Sequence, residues 1–575
     1  MWDVAMVLVR PLGSVVLAWI LTLGVLGCES EPEVRSGEST YEALVLLFQE
    51  WREFERPGLL DGAPDYTASS QERRLTELAE FQGRLDGIDP TEWPIPQQVD
   101  YHLVRAEMNG MEFHQRVLHP WARDPAFYAS VRPSQSDTPA EEGPTIHYAL
   151  RLWEYSIWPR TRDSEIAPLT PEAVEELTRE LDRIPPLLEQ ARGNLRDSDA
   201  RDLWEGGIRR FEIQSGTLSR LSEVVGSGNP ELELAVESAL AATDEFTEWL
   251  RTELPSKTGP SGVGREQYTW HMQNVLLLPL TWDDEVAIVR KELARAHSTL
   301  RLEEHRNRDL PELHVAQDAE EFAQMQAESL RRYMTFLVEH EILHVEDWME
   351  HSLGSRTRDF LPPETRTFFG QVRAREPKGL WTHWYHWWDL DRMEIHPHES
   401  PIRREALRYN VWMSRAEGMA TVMEEWMMHA GLYDESPRSR EIIWIMLATR
   451  AARGLASLYA HANELTMEEA GDLHVEWTPR GWMRRDLDLL GFEQHLYLRQ
   501  PGYGPSYVTG ARLMDELLAE RALQLGDDFT LQGFFREVND AGMIPVPLLK
   551  WELTGNDAGI EALRRAAERP FPTGG

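Results

Sequence analysis

Apolar residues along most of this chain recur every three to four positions, the spacing of one face of an α-helix. Amphipathic runs of this kind cover residues 70–86, 97–118, 172–196, 201–224, 231–253, 282–307, 318–352, 402–431, 438–463 and 509–525. Alternation with a period of two, the mark of a half-buried strand, is scarce, and no internal repeat of fixed length is visible. Start signals agree with the helical reading. Thr170-Pro171-Glu172 offers an N-cap, a proline at the first helical position and an early acid. Thr466 with Glu469 spells a capping box, and Thr281 with Asp284 a similar start. The expected fold is all-α, a large single helical body with little or no β structure. Residues 130–145 and 255–264 break the pattern. The second break is the best internal boundary. It separates an N-terminal helical half (41–254) from a C-terminal half (265–560), or else forms a long loop within one body. Residues 561–575 are expected to fray.

The N-terminus carries a different signal. Residues 15–26 form an apolar run of signal-peptide length, too short for a comfortable membrane span. It ends in Val25-Leu26-Gly27-Cys28, which looks like a bacterial lipobox. On that reading residues 1–27 are a lipoprotein signal peptide and Cys28 is lipidated. Residues 28–40 are then a flexible tether. The protein would be exported and held to a membrane on its periplasmic or cell-surface face. Asp3 and a lone Arg10 make a poor leader, and a start at Met6 gives a better one. The competing reading is a signal anchor with an incidental cysteine. Cys28 is the only cysteine, so no disulfide can form within the chain.

Charge narrows the function classes. Lys and Arg number 59 against 97 Asp and Glu, a formal net charge of −38. Nucleic-acid binding needs a basic footprint and is not expected. The acidity weakly favours cationic or neutral substrates.

The sharpest chemical pattern is His340-Glu341-Ile342-Leu343-His344. On a helix, histidines four apart lie on one face and can share a metal, while the intervening glutamate can take a proton from an activated water. Chance supplies roughly 0.1 such matches in a chain of this composition, so context matters. The flanks, Tyr333 to Val338 and then Val345, Trp348 and Met349, are apolar nearly all round. They suggest a buried helix in which two imidazoles and a carboxylate would need a partner such as Zn²⁺. The bland alternative is two core histidines bonded to carboxylates. A third ligand should lie on another buried helix. Glu417, in the apolar stretch 405–430, fits. Glu424, seven residues on and on the same face, could orient a ligating imidazole. Glu394, His396 and His398 in the intervening loop compete for the third place, as do Glu346 and His351. Residues 381–398, with Trp381, Trp384, Trp387 and Trp388, could wall a substrate site but more simply pack between helices.

Here a resemblance becomes specific. The chain is similar to the bacterial family catalogued as domain of unknown function 885, whose members resemble zinc metallopeptidases of the gluzincin type with a mostly helical fold. The family hallmark E-G-W-A-x-Y-x-E reads Glu417-Gly418-Met419-Ala420-Thr421-Val422-Met423-Glu424 here, and P-G-Q-x-x-S-Y-x-x-G reads Pro501-Gly502-Tyr503-Gly504-Pro505-Ser506-Tyr507-Val508-Thr509-Gly510. Residues 264–268, 281–285 and the C-terminal stretch also fit, so the resemblance spans roughly residues 40–555. The family's H-E-x-x-P-G-H-H is changed here: Pro and Gly give way to His344 and Val345, and a later histidine to Glu346. The second ligand, His344, is therefore taken from its own spacing.

The expected function is a zinc-dependent hydrolase, most simply a metallopeptidase for short peptides. His340, His344 and Glu417 would hold Zn²⁺, and Glu341 would act as general base. Tyr507 would donate to the oxyanion, with Tyr503 and Arg499 as weaker alternatives. Two rivals stand beside it: a metal hydrolase of another amide or ester, and a lipoprotein binding module that keeps the fold without catalysis.

Overall fold

In the computed structural model the described residues are 39–138, 144–155, 169–225, 228–568 and 571–572. The leader, Cys28 and most of the tether lie outside them. Helices dominate, as the apolar spacing predicts. Among the described residues strand pairing is confined to two pairs of two-residue strands, one antiparallel and one parallel. The predicted caps form: Thr170 accepts from the Ala173 amide, and Thr281/Asp284 and Thr466/Glu469 are reciprocal capping boxes.

The run 172–196 is two helices, Pro171–Asp182 and Ile184–Asn194, because Pro185 and Pro186 open the second. The run 402–431 is helical only over Met413–His429. Just before it, Tyr409 and Asn410 take left-handed conformations.

The described residues from Ser39 onward form one compact unit. Its main core joins residues 44–113 to residues 268–563, so the first three long helices pack with the C-terminal half. A second core holds residues 63–250. The 255–264 stretch is tied down on both sides, the Gly259 amide to Asp199 O (2.8 Å) and the Gly262 amide to Asn463 Oδ1 (2.9 Å). It is a pinned loop within this unit. At the centre lies Ser439–His461, buried around nearly its whole circumference as its all-round apolar sequence requires. Helices Met413–His429 and Tyr503–Leu525 pack beside it. These two cross where Gly418 faces Gly510: a Cβ on Gly418 would lie 2.5 Å from Gly510 C and 2.7 Å from its Cα. Only two glycines allow that approach.

Candidate metal centre

The His340–His344 segment does not form the expected helix. Ala319–Glu339 ends with His340 as its C-cap, and Glu341 sits in the left-handed region at φ 50°. The Ile342 amide reaches back to Leu337 O (3.0 Å) and the Glu341 amide to Val338 O (3.2 Å). This is a Schellman turn, with Glu341 at the position glycine usually takes. Buried Ile342 and Leu343 anchor it, while His340, Glu341 and His344 are exposed. The pentapeptide is a helix terminator. The expected ligand pair His340/His344 and the general base Glu341 are therefore corrected: the three do not share a helical face. Glu346 pairs instead with His396 (2.8 Å), and Glu394 and His351 are exposed.

Glu417 lies elsewhere, with different partners. His383, His386 and Glu417 are 8%, 2% and 1% exposed, and each offers a ligand atom within 4.8 Å of the others. Among the described residues they are the group that could hold a metal ion. His383 ends helix Lys378–His383, Trp384 breaks the helical path (φ −74°, ψ 21°), and His386 lies in the first turn of Tyr385–Ile395. The imidazoles therefore stand three residues apart on two helices, their ring centres 5.1 Å apart and nearly perpendicular. His386 Nε2 lies 3.1 Å from Glu417 Oε2. Yet that oxygen and His386 Nδ1 are buried without a well-aligned hydrogen bond. Two nitrogens and a carboxylate oxygen so placed suit zinc.

The surroundings hold this set. Gly502, at φ 87°, turns the chain into helix Tyr503–Leu525. Tyr503 then donates to Glu417 Oε1 at 2.5 Å. Burial works to raise the Glu417 carboxyl, but the adjoining His386 cation, His383 and the Tyr503 hydroxyl outweigh it and hold it at about 2. Burial works to lower His386, but Glu417, Asp137 and Asp389 outweigh it and raise it to about 9. Glu424 stands where the sequence places it, on the Glu417 face of the same helix. Its Oε1 is 3.0 Å from His383 Nδ1, and Arg450 donates to its Oε2 at 2.5 Å. That is the position from which a carboxylate orients a ligating imidazole. Burial raises the Glu424 carboxyl to about 7, against the pull of Arg450.

A cleft of about 430 Å³ opens beside the cluster. His383, Tyr503, Tyr507 and Asp137 line it. Tyr507 lies 17° from parallel with the His383 ring, centres 6.1 Å apart, and the Arg453 guanidinium sits over the Tyr507 ring at 4.0 Å. Asp137 lies in the irregular stretch 133–138 and feels both His386 and Glu417. Burial raises its carboxyl, and Glu417 adds to the rise while His386 opposes it. Of the tryptophans, Trp384 lines the cleft, whereas Trp381, Trp387 and Trp388 are packed away from it in the core.

Sequence reasoning found Glu417, Glu424 and Tyr507 and missed His383, His386 and Asp137. A usable signal existed. Two histidines inside Trp381-Thr-His383-Trp-Tyr-His386-Trp-Trp388 are as costly to bury unpaired as any at 340–344.

Comparisons place the fold. A structure of a candidate lipoprotein of unknown function from Shewanella oneidensis superposes with TM-score 0.63 at 14% identity, covering 89% of this chain and 99% of that one. A candidate lipoprotein from Colwellia psychrerythraea gives TM-score 0.63 at 14% identity, covering 92% and 100%. No curated protein matches the chain. The family match spans residues 57–358, so it includes Asp137 and the 340–344 turn and ends before His383, His386 and Glu417. Over more than half of its length, then, this chain meets the description "bacterial protein of unknown function (DUF885)", and it belongs to that family.

Proposed function

We propose that this chain is a zinc-dependent hydrolase, most simply a metallopeptidase of short peptides, with its metal held by His383, His386 and Glu417. It would work outside the cytoplasm, tethered through Cys28. The observation that carries the reading is the set of three buried donor atoms within 4.8 Å beside an open cleft. Zinc so held supplies Lewis acidity that activates water and polarises a carbonyl. The chain's own groups do the rest. Asp137, facing the cluster from the loop, accepts the proton of the attacking water and returns it to the leaving amine. The Tyr507 hydroxyl donates to the developing oxyanion. Tyr503 and Glu424 position Glu417 and His383. The likeness to gluzincins is part of this reading. Here the histidines are three apart, and Trp384 stands where that pattern has its glutamate, so the proton acceptor comes from another element.

A second reading has one observation in its favour. His386 and Glu417 already form a buried ion pair at 3.1 Å, which a non-catalytic binding module could keep.

The test is metal content by mass spectrometry on the full chain purified without chelator. About one zinc per chain is expected, lost in His386→Ala and Glu417→Ala and kept in the double variant His340→Ala/His344→Ala. Circular dichroism checks that each variant folds. No zinc after zinc addition to the folded chain would sink the hydrolase and favour the binding module.

A further inference from the structure

The cleft beside the cluster has the opposite charge to the molecule. In a chain of net charge −38, it is lined by seven arginines and two carboxylates among the described residues. Some of these arginines are already matched: Arg209 with Asp488, Arg453 with Glu493, Arg499 with Asp124. Arg358 and Arg373 are not. Neither has a carboxylate partner among the described residues, and Arg373 Nε is buried without a hydrogen bond. Both guanidinium groups lie 5.8 Å from the ring of Trp384, the residue between the two helices that carry His383 and His386. Burial and the neighbouring Arg358 charge lower Arg373 to about 9. Arg358 is exposed and Arg373 half-buried, and Asp137, which feels Arg358, is the one carboxylate near the pair, so an anion held between the two guanidinium groups would supply charge they lack.

We infer that Arg358 and Arg373 form a carboxylate-binding subsite, so that the cleft takes acidic peptides, or peptides held by their terminal carboxylate, with the scissile bond at the cluster. This rests on the proposed hydrolase, and it runs opposite to the expectation from overall charge that substrates are cationic or neutral. The net charge describes the outer surface, whereas the cleft is set by the few residues that line it.

The test is calorimetric binding to the full chain, zinc-loaded and chelator-treated. The probes are acetyl-trialanine, its C-terminal amide, and that amide with glutamate at the centre. One of the two carboxylate probes, or both, should bind at least about tenfold tighter than the neutral amide. Which of them does so tells whether a terminal or a side-chain carboxylate is read. Arg373→Gln and Arg358→Gln should each weaken the favoured probe by roughly ten- to a hundredfold and the neutral amide by less than about twofold. Because Arg373 has no acid to lose, Arg373→Gln should fold as well as the parent, which thermal unfolding checks. Equal binding of all three probes, or unchanged binding in both variants, overturns the inference. The two proposals fail separately. Charge discrimination without any zinc uptake removes the metal and keeps the subsite. Zinc uptake with no discrimination removes the subsite and keeps the metal.

Discussion

Replacing Gly510 with alanine should strike the site from behind. A Cβ there would lie 2.8 Å from Gly418 Cα and 3.1 Å from Gly418 N, and closer still to Ser414 O. Carbon atoms rest about 3.5–4.0 Å apart, so helices Met413–His429 and Tyr503–Leu525 would have to separate by about 1 Å. The obstacles are backbone atoms, which have no rotamer to yield. Overpacking of this kind costs about 3 kcal/mol, the upper end of the usual range. The same displacement would stretch the bond from Tyr503 to Glu417 Oε1 from 2.5 Å to about 3.5 Å, beyond a useful hydrogen bond. Stability and zinc affinity should therefore fall together. The assay is a urea melt read by circular dichroism, with the slope of the transition checked for constancy, paired with equilibrium dialysis against zinc. Gly216→Ala is the control. That glycine lies inside helix Arg201–Val225 with nothing within 4 Å of a new Cβ, so alanine should stabilise by about 0.5–1 kcal/mol. A Gly510→Ala chain within about 0.5 kcal/mol of the parent, binding zinc as tightly, would refute the argument that this crossing sets the site.

Two further outcomes follow from buried or strained carboxylates. Glu285 is fully buried, accepting from Tyr268 (2.8 Å) and Thr509 (3.0 Å); burial raises it to about 7 against those donors. Its folded value exceeds the unfolded one, so its contribution is complete below about 4.5 and is lost as pH rises through about 7. Glu285→Gln should match the parent at pH ~4 and exceed it by up to roughly 3 kcal/mol at pH ~8. A gap independent of pH in paired melts would count against this. At Glu341, whose φ is 50°, glycine should relieve left-handed strain and stabilise by about 0.5–1 kcal/mol without changing zinc content. Lost zinc in Glu341→Gly would restore the turn to the metal site.

Legibility in the sequence was uneven, for physical reasons. Helix identity came from apolar period and caps, both local properties, and Thr281/Asp284 and Thr466/Glu469 behave as read. Glu417 and Glu424 were legible because a carboxylate in an apolar helix must be satisfied, and a seven-residue step keeps one face. The 340–344 pattern misled because spacing implies geometry only if the helix continues. Nothing local announces a Schellman turn when glutamate, not glycine, fills its left-handed position. His383 and His386 stand three residues apart, not four, and what brings their rings together is the helix break between them, which no sequence spacing announces. Asp137 and the arginines were beyond reach, since loop docking and cleft charge depend on tertiary placement.

The break at Trp384 leaves the two imidazoles on separate supports. Helix Lys378–His383 is fastened by Trp381, whose indole donates to Ser329 Oγ (2.7 Å); Tyr385–Ile395 is fastened by Trp388, which donates to Met349 O (2.9 Å). Ser329 belongs to Ala319–Glu339 and Met349 to Asp347–Gly354, the helices on either side of the 340–346 turn. The bite of the histidine pair is thus gauged at a distance, by how that turn spaces two buttresses. The turn at 340–344 acts as the calliper of a cluster it does not join.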